Sequence, residues 1–164
     1  MKNLFLFFVL VSFTAFSQSL SGNYIIGNSQ PFPFNTLTNA VQKINTSGVS
    51  GPVVFLLNDA NYSIATGETF PITIKQFNGS SAQNTLTIKP QLGKTVAIRA
   101  DNSNAWTPTQ AIFKFNGADH VIIDGSNNGS NTKNLTLTNT NTLEYSKRSV
   151  IWFANEDNAN GASN

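Results

Sequence analysis

TLTIKPQLGKTVAIRADNSNAWTPTQAIFKFNGADHVIIDGSNNGSNTKNLTLTN occupies residues 85–139. It contains a series of short runs: TLTIK (85–89), VAIR (96–99), AIFKF (111–115), HVIID (120–124) and LTLTN (135–139). Each is rich in β-branched or aromatic residues and bounded by Asn, Gly, Asp, Ser or Pro, which is how short strands read. Thr-Leu-Thr-Ile and Leu-Thr-Leu-Thr alternate strictly, so one face of each is buried and the other is polar. Outside this stretch PVVFLL (52–57), FPITI (70–74) and VIWF (150–153) have the same character.

Centres near 87, 113 and 136 lie about 26 and 23 residues apart, and those near 97, 122 and 151 about 25 and 29. A loose period in the mid-twenties, with two or three strands per period, predicts a chain that coils and stacks on itself. In such a solenoid each turn buries its apolar side chains against the turns above and below. Asparagine at the bends is expected to stack between coils, its amides satisfying one another. The alternative is a β-sandwich, whose hairpins would turn at Asn78-Gly79, Asn116-Gly117 or Asp124-Gly125.

One helix is legible in FNTLTNAVQKINTSG. Leu37, Ala40, Val41 and Ile44 form a single apolar stripe, with Asn35 as the expected N-cap and Gly48 just past the end. The spacing predicts a helix over about 36–45.

The chain opens with MKNLFLFFVLVSFTAFSQ. Lys2, an apolar stretch over 4–15, and small residues at Ala15 and Ser17 make a secretory signal peptide over 1–17, with Gln18 as the mature N-terminus. The apolar run is short for a membrane span, which needs about 20 residues. No later stretch reads as a span. Export by the Sec machinery and a secreted, extracellular or outer cell-surface location are therefore expected. Removing 17 of the 164 residues leaves 147, enough for one domain with a core. Cysteine is absent, which excludes disulfides and thiolate chemistry. Lysine and arginine total 10 against 8 acids and are scattered, so the basic footprint of a nucleic-acid binder is missing. Asn, Thr and Ser supply about a third of the chain.

Several stretches resemble a known family. LSGNYIIGNS (20–29), FNTLTNAVQKINTSGVSGPVVFLL (34–57), YSIATGETFPITI (62–74) and GSSAQNTLTIKP (79–90) are similar to the N-terminal region of large secreted Bacteroidetes proteins exported by the type IX system. ADHVIIDGSN (118–127) resembles their recurring coil element. The resemblance implies an all-β, right-handed parallel β-helix of the pectin-lyase-like type. Residues 18–34 would be an extended N-terminal segment, and 35–164 an incomplete β-helix with the short helix capping its first coil. It also implies that the chain is the N-terminal fragment of a longer protein, since those relatives continue to a sorting domain. The fold hosts lyases, hydrolases and adhesins, so it does not by itself assign an activity.

The chain's single histidine, His120, and Asp124 flank the apolar run VII. In an extended strand they would share a face roughly 13 Å apart, too far for a carboxylate–imidazole pair. The Gly-His-Gly and Arg-x-Lys motifs of pectinolytic hydrolases are missing, so no catalytic residue is assigned. Asp124, Ser126 and Asn128 place oxygens like the first half of a calcium loop, but the twelfth position is Leu135 rather than a bidentate Glu. EDNANG (156–161) repeats the half-pattern. Calcium is the one cofactor this spacing admits, and the plain alternative is an Asp-Gly turn. Among the aromatics Tyr62, Trp106, Tyr145 and Trp152, Trp106 lies in a polar loop and is the best stacking platform for a sugar, while Trp152 is expected in the core. Trp106, His120 and Asp124 are thus the ligand-binding candidates, and a polysaccharide or cell-surface glycan is the expected partner. The expected role is a scaffold, an adhesin or a glycan-binding segment. The alternative is the first coils of a polysaccharide lyase or glycoside hydrolase. N-terminal sequencing of the exported protein is expected to read Gln-Ser-Leu-Ser-Gly from Gln18, and an intact Met1 would show that the leader is retained.

Overall fold

In a computed structural model the described residues are 18–101, 111–140 and 148–155. Residues 1–17, where the leader is expected, Trp106, Tyr145 and the EDNANG stretch lie outside them. The strands are β1 (Leu20–Ile26), β2 (Val49–Leu57), β3 (Asn61–Ser63), β4 (Ile72–Lys75), β5 (Leu86–Pro90), β6 (Val96–Ala100), β7 (Phe113–Asn116), β8 (Val121–Ile123), β9 (Leu135–Asn139) and β10 (Ile151–Ala154). One α-helix, α1 (Leu37–Ser47), and one 3-10 turn (Ile64–Thr66) accompany them. No helix among the described residues is long and apolar enough to cross a membrane.

The strands form three sheets, ordered β1-β2-β5-β8, β3-β6-β9 and β4-β7-β10. From β2 onward the chain visits the three sheets in rotation, and every strand pair is parallel. The protein is all-β, and this arrangement is compatible with a parallel β-helix. Parallel pairing of this kind argues against the sandwich, whose hairpins are antiparallel. Asn78-Gly79 and Asp124-Gly125 lie between strands of different sheets, and Asn116-Gly117 closes β7 ahead of β8 in another sheet, so all three turn corners rather than hairpins. Gly79 is needed at its corner: its φ is +82°, and an added Cβ would meet the Val49 carbonyl oxygen at 2.1 Å.

The repeat is longer than the mid-twenties spacing predicts. Val53 pairs with Leu86, 33 positions on, and Leu86 with Val121, 35 on. Ile72 pairs with Phe113, 41 on, and Phe113 with Ile151, 38 on. The strands near 87, 113 and 136 belong to three different sheets. Evenly spaced apolar runs mark successive corners of the path, and stacking partners come three runs apart.

Inward positions alternate along each strand and stack on their counterparts. Val53, Leu86 and Val121 form one stack, Phe55, Ile88 and Ile123 another. Tyr62, Ile98 and Leu137 line the second sheet. Ile74, Phe115 and Phe153 line the third, with the Phe115 and Phe153 rings stacked at 5.1 Å. Burial is near complete in the earlier strands and lessens at β10: Phe113 and Phe55 are fully buried, whereas Phe153 is 55% exposed. Trp152 lies on the outer side of β10 beneath the Lys114 ammonium, 4.5 Å from its ring centre, and not in the core as VIWF implied.

Two corners are fastened by buried polar groups. The Tyr62 hydroxyl donates to the Ile26 carbonyl at 2.6 Å and accepts from the Asn58 and Asp59 amides. Burial pushes this phenol well above its ordinary pKa, so it remains a donor. At the start of α1 the N-cap is Thr36, whose hydroxyl accepts from the Asn39 amide, while the expected Asn35 accepts from the Asn39 side chain. The buried Glu68 carboxylate then takes the Leu37 and Thr38 amides at 2.8 and 2.7 Å, as well as the Thr38 hydroxyl. A carboxylate there complements both the unpaired amides and the positive end of the helix dipole.

The helix also finishes a sheet edge. It packs on β4 and β1 with Leu37, Ala40, Val41 and Ile44 inward. Asn45 donates its side-chain amide to the Thr73 carbonyl and accepts from the Lys75 amide, at 2.9 and 3.0 Å. One side chain thereby supplies β4 with the donor and acceptor that a neighbouring strand would bring. Elsewhere Asn127 reaches the Lys94 carbonyl and Asn139 the Ser149 carbonyl. Glu68→Ala leaves two helix amides without their acceptor and is expected to lower stability by about 1–3 kcal/mol. A denaturant midpoint equal to that of the parent would refute this role.

Candidate functional site

β8 separates His120 from Asp124. His120 precedes the strand in a left-handed conformation, φ +59°, with its side chain exposed and its carbonyl accepting from the Leu86 amide at 3.0 Å. Asp124 follows the strand. Because Ile88 pairs with Ile123, the next residues, Lys89 and Asp124, come together on the outer side, Nζ to Oδ2 at 2.7 Å. The other carboxylate oxygen accepts from the Ser126 amide at 2.8 Å. Lys89, and after it the Ser126 N–H, hold the Asp124 carboxyl below its usual pKa. The structure therefore ties Asp124 to Lys89 of β5 and leaves His120 at the opposite end of β8.

The three oxygens expected for calcium do share one turn. Ser126 is buried, and its hydroxyl donates to Asn128 Oδ1 at 3.0 Å. That same oxygen accepts from the Ser130 amide and hydroxyl and from the Thr132 hydroxyl, at 3.0, 2.7 and 3.2 Å. Lys89 already supplies the positive charge beside Asp124, and donors from the turn itself crowd Asn128. Among the described residues no cluster of three or more His, Cys, Asp or Glu side chains comes together.

A different site emerges at the helix-covered end. Between β1 and α1 lies a cleft of about 340 Å³, bordered by Tyr24, Phe34, Lys43, Ser21, Ser50 and Gln18. Tyr24 and Phe34 stack at 4.7 Å with a 26° tilt, and Tyr24 meets Phe55 edge-on at 6.3 Å. The Tyr24 hydroxyl donates to the Ser21 carbonyl. Lys43 also borders a second cleft of about 220 Å³ with Phe32, Pro33, Asn39, Gln42 and Thr46, where Phe32 is 77% exposed. Aromatic surface flanked by hydroxyl, amide and ammonium groups suits a ligand with an apolar face and hydroxyl edges. Sequence reasoning missed this site because its aromatics come from the segment before α1, treated there as merely extended. Tyr62, weighed there as a platform, is instead buried on β3.

A family model described as a protein of unknown function, DUF1565, matches residues 20–164. The chain belongs to the DUF1565 family. That family is often found in parallel β-helix proteins, in accord with the three parallel sheets of this member. Comparison with curated proteins and with solved structures returns no match. In this DUF1565 protein the Lys89–Asp124 pair is partly exposed, so Asp124→Asn is expected to cost less than about 1 kcal/mol at neutral pH. The folded carboxyl titrates below its unfolded value of 3.8. Its contribution is therefore present above that value and is lost as pH falls through the lower folded one. Unfolding midpoints of parent and variant should differ at neutral pH and converge in strong acid; a constant difference would show that the ion pair is not the cause.

Proposed function

We propose that this chain is an exported, right-handed parallel β-helix segment that serves as a scaffold outside the cell or at its surface and holds a glycan at its helix-covered end. The observation carrying the scaffold reading is the Lys89–Asp124 bridge with its saturated Ser126–Asn128 turn, where reactive-looking groups are used to join coil to coil. The rotation of the chain through three parallel sheets supports the coil. A right-handed winding is the usual hand for parallel crossovers. The signal-like first 17 residues and the resemblance to type IX cargo of Bacteroidetes support export. The Tyr24–Phe34 cleft beside Lys43 supports sugar binding, with an acidic polysaccharide favoured by the ammonium group.

The rival reading, a lyase or hydrolase, demands bond cleavage. Affinity electrophoresis of the mature chain in gels containing polygalacturonate or other acidic glycans is expected to show retardation, weakened several-fold by Lys43→Glu. Incubation should release neither unsaturated ends nor reducing ends. Product release would overturn the scaffold reading, and unretarded migration in every glycan gel would overturn the sugar-binding part.

A further inference from the structure

Three Asn-Gly pairs lie among the described residues, and the fold treats them differently. In such a pair the glycine amide nitrogen can approach the asparagine side-chain carbon, because no Cβ stands in the way. Asn116 is held in β7 between β4 and β10, and the Gly117 amide donates to the Ala154 carbonyl at 2.9 Å. Asn78-Gly79 turns a tight corner against Val49. The Asn78 carbonyl accepts from the Val49 amide at 2.8 Å, and the place of a Gly79 Cβ lies 2.1 Å from the Val49 carbonyl oxygen. Asn128-Gly129 is exposed in the turn between β8 and β9. Gly129 has φ +76° and open space where a Cβ would stand.

Four donors surround Asn128 Oδ1: the Ser126 hydroxyl, the Ser130 amide, the Ser130 hydroxyl and the Thr132 hydroxyl, at 3.0, 3.0, 2.7 and 3.2 Å. Ser126 is buried, which fixes one wall of the cluster. A side-chain amide oxygen offers only two lone pairs, fewer than these donors can use. A tetrahedral oxyanion carries a full negative charge and a further lone pair. The cluster therefore fits the oxyanion better than the amide, which is the condition for accelerating the step that forms it.

We propose that Asn128-Gly129 is a self-modification site, converted to aspartate and isoaspartate through a succinimide ring, with the donors of its own turn stabilising the oxyanion. The Gly129 amide nitrogen bonds to Asn128 Cγ and loses its proton to water or hydroxide. The π electrons of the Cγ–Oδ1 bond move onto Oδ1, toward the surrounding donors. The oxyanion collapses, the Cγ–Nδ2 bond breaks, and Nδ2 takes a proton from water and leaves as ammonia. Water then opens the ring at either carbonyl, giving aspartate or isoaspartate. The sum is amide and water to carboxylate and ammonium, with no oxidant or reductant. In the isoaspartate product the main chain between β8 and β9 gains a methylene carbon. None of these steps depends on what lies beside the last strands or on a bound glycan.

Peptide mapping by mass spectrometry follows all three pairs in the full chain, held folded at mildly alkaline pH and, in parallel, in denaturant. Far-UV circular dichroism checks folding. In the folded protein Asn128 is expected to convert several-fold faster than Asn78 and Asn116. It should also convert faster than the same Asn128 in denaturant, where the donors are dispersed. Conversion of folded Asn128 no faster than in denaturant overturns the proposal, whatever the other two pairs do. Ser130→Ala and Thr132→Val remove donors at exposed positions. Each should slow folded Asn128 several-fold while its rate in denaturant changes little. Folded variants that convert as fast as the parent overturn the oxyanion role and with it the proposal. Should neither variant fold, the folded-to-denatured rate ratio of the parent decides alone.

Discussion

Val53, Leu86 and Val121 lie one beside another in neighbouring parallel strands, and the other stacks follow from keeping them in register. A shift of one residue in any strand would turn its apolar side chains outward and its polar ones inward. With neither cysteine nor a dense charge network, this matching of inward faces is the main source of cohesion. It also explains why the outer face tolerates so many Asn, Thr and Ser residues: backbone pairing supports them without help from their side chains.

Stacking creates a problem at each end, because an unpaired edge and an uncovered apolar layer remain there. The first end is handled by α1. Its apolar stripe covers the layer, Asn45 imitates a strand for β4, and Glu68 fastens the helix N-terminus to the segment entering β4. The helix is thus held at both of its ends by groups from the coil it covers. The same construction leaves the cleft of Tyr24, Phe34 and Lys43 beside it, so the helix cover and the cleft have one structural origin.

The corners assign a different role to the polar residues. Lys89–Asp124, Asn127 to the Lys94 carbonyl, and Tyr62 to the Ile26 carbonyl each connect one coil or strand to another far along the chain. A carboxylate or phenol engaged in this way is positioned for cohesion. Residues whose types evoke chemistry can therefore be placed for structural reasons.

The all-β class, the short strands, the apolar stripe of α1 and the turn at Asp124-Gly125 were legible in the sequence, because each depends on local periodicity or local backbone preference. The location of α1 was legible for the same reason, although its N-cap, Thr36 and not Asn35, was not: the two candidates are adjacent and both cap well. The repeat length was misread because spacing along the chain records when a strand occurs and not which sheet it enters. Only the tertiary structure decided that Val53 stacks on Leu86, that Lys89 reaches Asp124, that Glu68 caps a helix some thirty residues earlier, and that Tyr24 and Phe34 form a cleft. These are contacts between distant positions, whose partners are chosen by the register of stacked strands, and no single segment carries that register by itself.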